Sequence, residues 1–305
     1  VSVSTAPRLR VLLTGAQGQL GRALQARAPA HWQLMACTRG QLDITQARQV
    51  RQCVQAFAPQ VIINAAAYNA VDMAQVDKAQ TDDEVWRVNA QGPGCLAHAA
   101  VSVGARLLHV STDYVFDGRR RQPYREQHPP QPLNRYGASK LAGEQAALLE
   151  QADALIVRTS WLFSEFADNN RPGFVGSLIA QLENALTSGQ RLRVTTSQHS
   201  APTYAGHLAA ALIRLLDLPR VAGGVYHYRD TPDINRYDYA CLIRQLWLDV
   251  RGLAFEAVPP VQAITTAPDV AVRPAYSVLD CQRLHALGIA SAPWLPALQR
   301  VIQNG

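Results

Sequence analysis

Short apolar runs and amphipathic stretches alternate along the first half of the chain. The apolar runs are RVLLTG (10–15), QVIINAAA (60–67), ARLLHVST (105–112) and ALIVRTSWLF (154–163). Between them lie the amphipathic stretches QLGRALQARA (19–28), ITQARQVRQCVQAF (44–57) and EVWRVNAQGPGCLAHAAVSV (84–103). Strands that alternate with helices predict βαβ units and a parallel sheet covered on both faces. After about residue 164 the pattern changes. SEFADNNRPGF is polar and irregular, and GFVGSLIAQLENAL (173–186) reads as a helix. Strand-like RLRVT (191–195), a helix over 205–217, strand-like GGVYHYR (223–229) and a helix near 236–250 follow, with much proline in the final third. The expected fold class is α/β, a doubly wound parallel sheet with a smaller α+β C-terminal region that completes a site.

Composition narrows the class of protein. A chain of 305 residues, 48% hydrophobic and 17% charged, is ordinary for a soluble globular protein. Its five cysteines form no C-x-x-C pair, which predicts reduced thiols and neither a disulfide framework nor a zinc site. The opening VSVSTAPRLRVLLTG lacks a long apolar core followed by a small-residue cleavage site, so no signal peptide is expected. No apolar run reaches the roughly 18 residues of a spanning helix; a soluble, cytoplasmic protein without membrane contact is expected. The net charge of +6 does not point to nucleic acid, because the arginines are spread along the chain. The one dense cluster, GRRRQPYRE at 118–126, falls in a loop marked by glycine and proline. A cationic surface serves a small anionic substrate equally well.

The first strand runs into Thr14-Gly15-Ala16-Gln17-Gly18-Gln19-Leu20-Gly21, a G-x-x-G-x-x-G turn that opens a helix. Glycines there permit a tight strand-to-helix turn and let a pyrophosphate approach the backbone at the positive helix N-terminus. In this position the turn predicts a Rossmann-like dinucleotide site. An acid about 20 residues further on would hold a ribose 2′-hydroxyl, whereas an arginine accommodates a 2′-phosphate. No acid occurs from His31 to Gln41, and Arg39 stands at the expected place. NADPH is therefore the expected cofactor, with NADH still possible.

Only two of the 29 basic residues are lysines, Lys78 and Lys140. Lys140 lies four positions after Tyr136, so on a helix the two share a face. An ammonium near a phenol favours phenolate and lowers its pKa, and lysine offers a compact point charge where arginine offers a planar fork. Beside a nicotinamide, Lys140 could also hydrogen-bond the ribose. Chance alone places a Tyr-x-x-x-Lys in such a chain on the order of 0.07 times, which favours the chemical reading. A hydroxyl that polarises a carbonyl from the other side is expected as well; Ser111 and Thr112 end the strand LLHVST, where doubly wound sheets place their sites.

Together these pieces resemble the extended short-chain dehydrogenase/reductase family. Longer strings are similar to the dTDP-4-dehydrorhamnose reductases within it: NAAAYNAVDMAQ (64–75), STDYVFDG (111–118), PLNRYGASKLAGE (132–144), VRTSWLF (157–163), APTYAGHLA (201–209) and RPAYSVLD (273–280). The resemblance spans about residues 9–300. It implies a Rossmann-like NADP-binding domain over 1–163, joined by about 197–222, with 164–196 and 223–305 as the substrate-binding region. It implies that Thr112, Tyr136 and Lys140 form the catalytic trio: Thr112 on the sugar 4-keto oxygen, Tyr136 as proton donor, Lys140 placing the cofactor and tuning Tyr136. Gly15, Gln17, Gly18, Gln19 and Leu20 match the phosphate turn. Asp43 and Ile44 match the adenine pocket, and Ala65, Ala66 and Ala67 match the strand under the nicotinamide half. Asn69, Asp113, Tyr114, Phe116 and Trp161 would border the sugar, and Arg273 would reach the nucleotide end of a dTDP-sugar.

The implied reaction is reduction of dTDP-4-dehydro-β-L-rhamnose to dTDP-β-L-rhamnose, the last step in making that activated sugar. Asn69, Met73 and Gln75 depart from the family pattern beside the sugar pocket, which leaves the sugar's stereochemistry open. Some members form a magnesium-bridged dimer through two glutamates; the matching places here hold Ala23 and Leu295, so no metal and a monomer or weak homodimer are expected. A 4,6-dehydratase is disfavoured because Thr112 is followed by Asp113-Tyr114 with no glutamate. Another sugar-nucleotide 4-keto reductase or epimerase remains an alternative. So does a non-catalytic NADP-binding subunit similar to the regulatory subunit of methionine adenosyltransferase.

Overall fold

A computed structural model describes residues 9–76, 83–166, 172–265 and 271–304. The chain's first eight residues, Lys78 and residues 167–171 of the polar stretch after RTSW lie outside the described residues. The first half runs β1 (Leu9–Thr14), α1 (Gln19–Arg27), β2 (Trp32–Cys37), α2 (Ala47–Phe57), β3 (Val61–Asn64), α3 (Val71–Val76), α4 (Glu84–Trp86), α5 (Gly92–Ser102), β4 (Arg106–Thr112), α6 (Arg135–Glu150) and β5 (Leu155–Thr159). A π-helical turn, Arg87–Gln91, joins α4 to α5. The second half runs β6 (Leu162–Phe163), α7 (Gly173–Ser188), β7 (Arg193–Thr195), β8 (His199–Ser200), β9 (Thr203–Tyr204), α8 (Ala205–Asp217), β10 (Gly224–His227), β11 (Ile234–Asn235), α9 (Arg236–Arg251), β12 (Gln262–Ile264), α10 (Gln282–His285) and α11 (Leu295–Asn304).

Six parallel strands form the central sheet in the order β10-β5-β4-β3-β1-β2. The apolar runs are continuous because both faces of the sheet are buried. Val11, Leu13 and Ile63 pack with α1 and α8, whereas Leu12 and Ile62 pack with α2 and α5. Such two-sided burial is what lets a parallel strand read as an unbroken apolar run. From β1 the chain first builds outward to β2, then returns to place β3 on β1's other side. That reversal opens a crevice at the C-terminal ends of β1 and β3, where doubly wound sheets hold their ligands.

One boundary differs from the sequence expectation. The strand at 224–227, grouped by sequence with the substrate region, is the sixth strand of the central sheet, paired in parallel with β5. Its approach needs a glycine: a Cβ on Gly223 would lie 2.5 Å from the Asp153 Cα at the start of β5. Helices α7, α9 and α11 form a separate apolar cluster, in which Leu178 and Leu182 of α7 meet Tyr239, Ile243 and Trp247 of α9 and Leu298 of α11. Among the described residues no helix is long and apolar enough to cross a membrane.

Candidate active site

A cleft of about 650 Å³ opens at the crevice between β1 and β3 and runs toward α7 and α9. At its cofactor end Gly15 takes φ +72°, and a Cβ there would come within 2.6 Å of the Ala65 carbonyl carbon and the Ala66 nitrogen. Helix α1 starts at Gly18 with no side-chain cap and no acidic residue in its first turn. Its free N–H groups and positive end are thus left for an anion, as a dinucleotide diphosphate requires. Gly15, Gln17, Gly18, Gln19 and Leu20 all line this end, with Ala65, Ala66 and Ala67 opposite.

Arg39, Asp43 and Ile44 line the same cleft beyond β2. The Asp43 carboxylate accepts from the Thr45 backbone N–H at 2.9 Å and its hydroxyl at 2.8 Å, which shapes the turn leading to α2. Arg39 is exposed and ion-paired with Glu84 at the start of α4. Sequence reasoning did not find Glu84, because this acid arrives from a segment 45 residues away and not from the end of β2.

The stretch NRYGASK starts α6. Asn134 caps it, accepting from the Gly137 N–H at 2.8 Å, and its amide donates to the Val272 carbonyl at 2.8 Å. The Arg135 N–H donates to Gln75 Oε1 at 3.1 Å. Gly137 is required, since a Cβ would lie 2.2 Å from the Tyr114 carbonyl oxygen. This close seat brings Tyr136 to the cleft beside Tyr114, ring edge to face at 5.9 Å, with the Thr112 hydroxyl near enough to act on the phenol's pKa. Ser111 is not available to a ligand; its hydroxyl donates to Glu144 at 2.5 Å. Glu144 is in turn held by Arg158 at 2.6 and 2.9 Å, a buried pair behind the site.

The Tyr136 pKa lies above the ordinary 10, because burial outweighs the opposing Thr112 hydrogen bond, and the Asp113 and Tyr114 charges add to the rise. This reverses the expectation that Lys140 would lower it. The Lys140 amine is turned elsewhere: it donates to the Val110 carbonyl at 2.7 Å and lies 3.4 Å from His109 Nε2. Burial pulls the Lys140 pKa down to about 8 from 10.5, against the opposing pull of Glu144.

The neighbouring hydrogen bonds fix a tautomer. Asn64 Oδ1 accepts from the Thr14 hydroxyl at 2.7 Å and from the Ala66 N–H at 3.1 Å. Its amide nitrogen therefore donates to His109 Nδ1, 2.9 Å away. Neutral His109 must then carry its proton on Nε2, facing Lys140. Burial, then the Lys140 charge, hold His109 well below its ordinary pKa. Two donors oppose each other whenever Lys140 is charged, so this contact also favours the neutral amine.

Of the residues expected to border a sugar, Asn69, Asp113, Tyr114 and Trp161 line the cleft. Phe116 and Arg273 do not. Phe116 is fully buried in a satellite core, its ring stacked on Tyr124 at 4.2 Å and covered by the Arg158 guanidinium at 5.1 Å. The expectation that it borders the sugar is corrected: the chain turns through a 3-10 segment at Asp113–Val115, so strand alternation cannot be carried past Thr112. Arg273 forms a two-pronged pair with Asp72, at 2.8 and 3.1 Å. Of the departures at 69–75, only Asn69 faces the cleft, since Met73 is exposed and Gln75 holds the start of α6. The sequence also missed Arg236, whose guanidinium lies 4.0 Å from the Trp161 ring centre and 4.2 Å from that of Phe174. All three, with Tyr239, line the cleft.

Comparison with known proteins agrees with this architecture. A family model described as RmlD substrate binding domain matches residues 9–305. The dTDP-4-dehydrorhamnose reductase of Aggregatibacter actinomycetemcomitans is 38% identical over 301 residues, covering 96% of this chain and 98% of that one. A crystal structure of dTDP-4-dehydrorhamnose reductase from Bacillus anthracis in complex with NADP is 32% identical and superposes with a TM-score of 0.83, covering 97% and 98% of the two chains. The ortholog from Clostridium acetobutylicum is 32% identical with a TM-score of 0.84 over 96% and 98%. A dTDP-glucose 4,6-dehydratase from Streptomyces venezuelae, 19% identical at a TM-score of 0.76 over 97% and 96%, shares the fold.

Proposed function

The chain belongs to the RmlD substrate binding domain family, and on that premise we propose that it is an NADPH-dependent reductase of dTDP-4-dehydro-β-L-rhamnose, forming dTDP-β-L-rhamnose. The observation that carries this reading is the shared cleft. The uncapped N-terminus of α1 and the Thr112–Tyr136 pair open into the same 650 Å³ space. NADPH supplies the hydride when bound. The phosphate turn would hold its diphosphate, Arg39 would meet its 2′-phosphate, and Lys140 would be the donor to its ribose. Tyr136 keeps its proton at neutral pH, because its pKa is above 10. It gives that proton up to an oxygen that has become more basic than a phenolate, as a reduced carbonyl does. Trp161, held at φ +39°, and Arg236 would form the wall for the sugar nucleotide, with Asn69 opposite.

The test follows NADPH oxidation with dTDP-4-dehydrorhamnose in the wild type and in Tyr136→Phe. The expected outcome is turnover in the wild type and a loss of roughly 10²–10⁴-fold in the variant, with NADPH binding intact in both. A wild type that binds NADPH and turns over nothing would leave the non-catalytic reading standing; equal rates would remove Tyr136 as the acid.

A further inference from the structure

A hydroxyl has one proton to donate, and Thr112 directs its proton to Asp113. Its Oγ1 lies 3.1 Å from Asp113 Oδ1 and accepts from the Tyr114 N–H at 3.2 Å. The other carboxylate oxygen, Oδ2, accepts from Ser277 at 2.5 Å and from Ser200 at 3.2 Å. These serines come from the C-terminal half. They are brought together where His199 bridges to Tyr276 and the Ser277 N–H donates to the His199 carbonyl at 2.9 Å. Asp113 is 1% exposed, and among the described residues no basic side chain stands within ion-pair distance of it. We infer that Asp113 is a positioning residue that sets whether Thr112 can donate to a carbonyl oxygen in the cleft, with Ser200 and Ser277 holding its carboxylate; this rests on the reading of the cleft as a carbonyl-reducing site.

With Asp113 ionised, the Thr112 proton is committed to Oδ1 and one lone pair to the Tyr114 N–H, so the threonine offers the cleft only its remaining lone pair. A proton on Asp113 Oδ1 reverses the bond. The acid then donates to Thr112 Oγ1, and the threonine's own proton is free for a carbonyl oxygen. The same proton removes a negative charge beside an oxygen that gains one during reduction. The groups facing this carboxyl are Thr112 and Tyr114 of its own segment, Tyr136 of α6, Ser200 of β8, Ser277, and Arg236 of α9. Burial lifts the Asp113 pKa to about 6 against the pull of the hydroxyls, so the reversal falls within a pH range the enzyme can be assayed in.

The experiment measures single-turnover hydride transfer from NADPH between pH 5 and 8, in the wild type, Asp113→Asn, Ser277→Ala and Thr112→Val. The wild-type rate is expected to rise as pH falls through about 6. Ser277→Ala removes a donor that favours the carboxylate, so its rise moves up by about one to two pH units, making it roughly five- to ten-fold faster than the wild type at pH 7. Asp113→Asn flattens the profile, and Ser277→Ala has no effect in the Thr112→Val background. A wild-type rate that does not rise toward acid, or a Ser277→Ala limb that stays put or moves down, would overturn the inference. The carboxyl ¹³C titration of Asp113, read without substrate, separates this from failure of the functional reading. If the wild type reduces nothing, an upward-shifted titration in both Thr112→Val and Ser277→Ala still supports the hydroxyl cage, and an unshifted one refutes it.

Discussion

Lys140→Met should make the ligand-free protein more stable at neutral pH while abolishing reduction. Lys140 is 2% exposed, and its pKa falls from 10.5 to about 8. At pH 7 the ammonium therefore costs the folded state roughly 3 kcal/mol relative to the unfolded chain. The sign follows from proton counts. Between pH 8 and 10.5 the unfolded chain binds more protons than the folded one, so stability from this group rises with pH across that window. Of the roughly 3 kcal/mol, about 2 should vanish by pH 9.5. Methionine keeps the length of the stem without charge, but leaves the Val110 carbonyl without the 2.7 Å donor, a loss of about 1 kcal/mol. The net gain at pH 7 is then about 2 kcal/mol, or roughly 4 °C in Tm for a chain of this size. The assay compares thermal melts of the ligand-free wild type and variant at pH 7 and 9.5. Other groups titrate in both proteins and cancel in the difference. The gain should shrink to about zero at the higher pH. A difference that is the same at both pH values would refute the claim that Lys140 carries a buried, unfavourable charge.

Phe116→Ala should cost about 3–5 kcal/mol in urea denaturation and leave the KM for the sugar nucleotide unchanged; a raised KM without loss of stability would put Phe116 back in the sugar pocket. Glu84→Gln should release Arg39 and tighten NADPH roughly two- to five-fold with little effect on NADH, measured by fluorescence titration; equal tightening of both cofactors would remove Arg39 from the 2′-phosphate. Arg158→Met strands the Glu144 carboxylate and should lower stability by about 3–5 kcal/mol, much of it recovered when Glu144→Gln is added; a double variant no better than the single one would show that packing and not charge is responsible.

The parts of the site legible in the sequence are those whose geometry is local. A strand-turn-helix places Gly15, Gly18 and Gly21 within one turn, and one helical turn separates Tyr136 from Lys140. Short spacings carry such features. Contacts between distant segments carry no such mark. Arg236 meets Trp161 across 75 residues, Ser277 meets Asp113 across 164, and Glu84 reaches Arg39 across 45. Each of these residues is an ordinary polar side chain in its own neighbourhood. The strand at 224–227 is illegible for a related reason: an edge strand of the central sheet and a strand of a separate unit have the same alternation, and only the partner distinguishes them.

The electrostatics around Tyr136 are hidden from the sequence for a different reason. Spacing puts Lys140 on the same helical face as Tyr136, but it says nothing of the polar chain beneath it. Asn64 is committed by Ala66 and Thr14, so His109 must present a proton to the lysine. The amine is held by β4 and not by the phenol. Tyr136 is then left to Thr112 and to the carboxyl of Asp113 for its electrostatics, and both of those sit on the strand end that the sequence marked as STD. The departures at 69–75 are likewise sorted by placement: with Gln75 spent on the backbone of α6, Asp72 on Arg273 and Met73 in solvent, Asn69 is the one altered position of the three that lines the cleft.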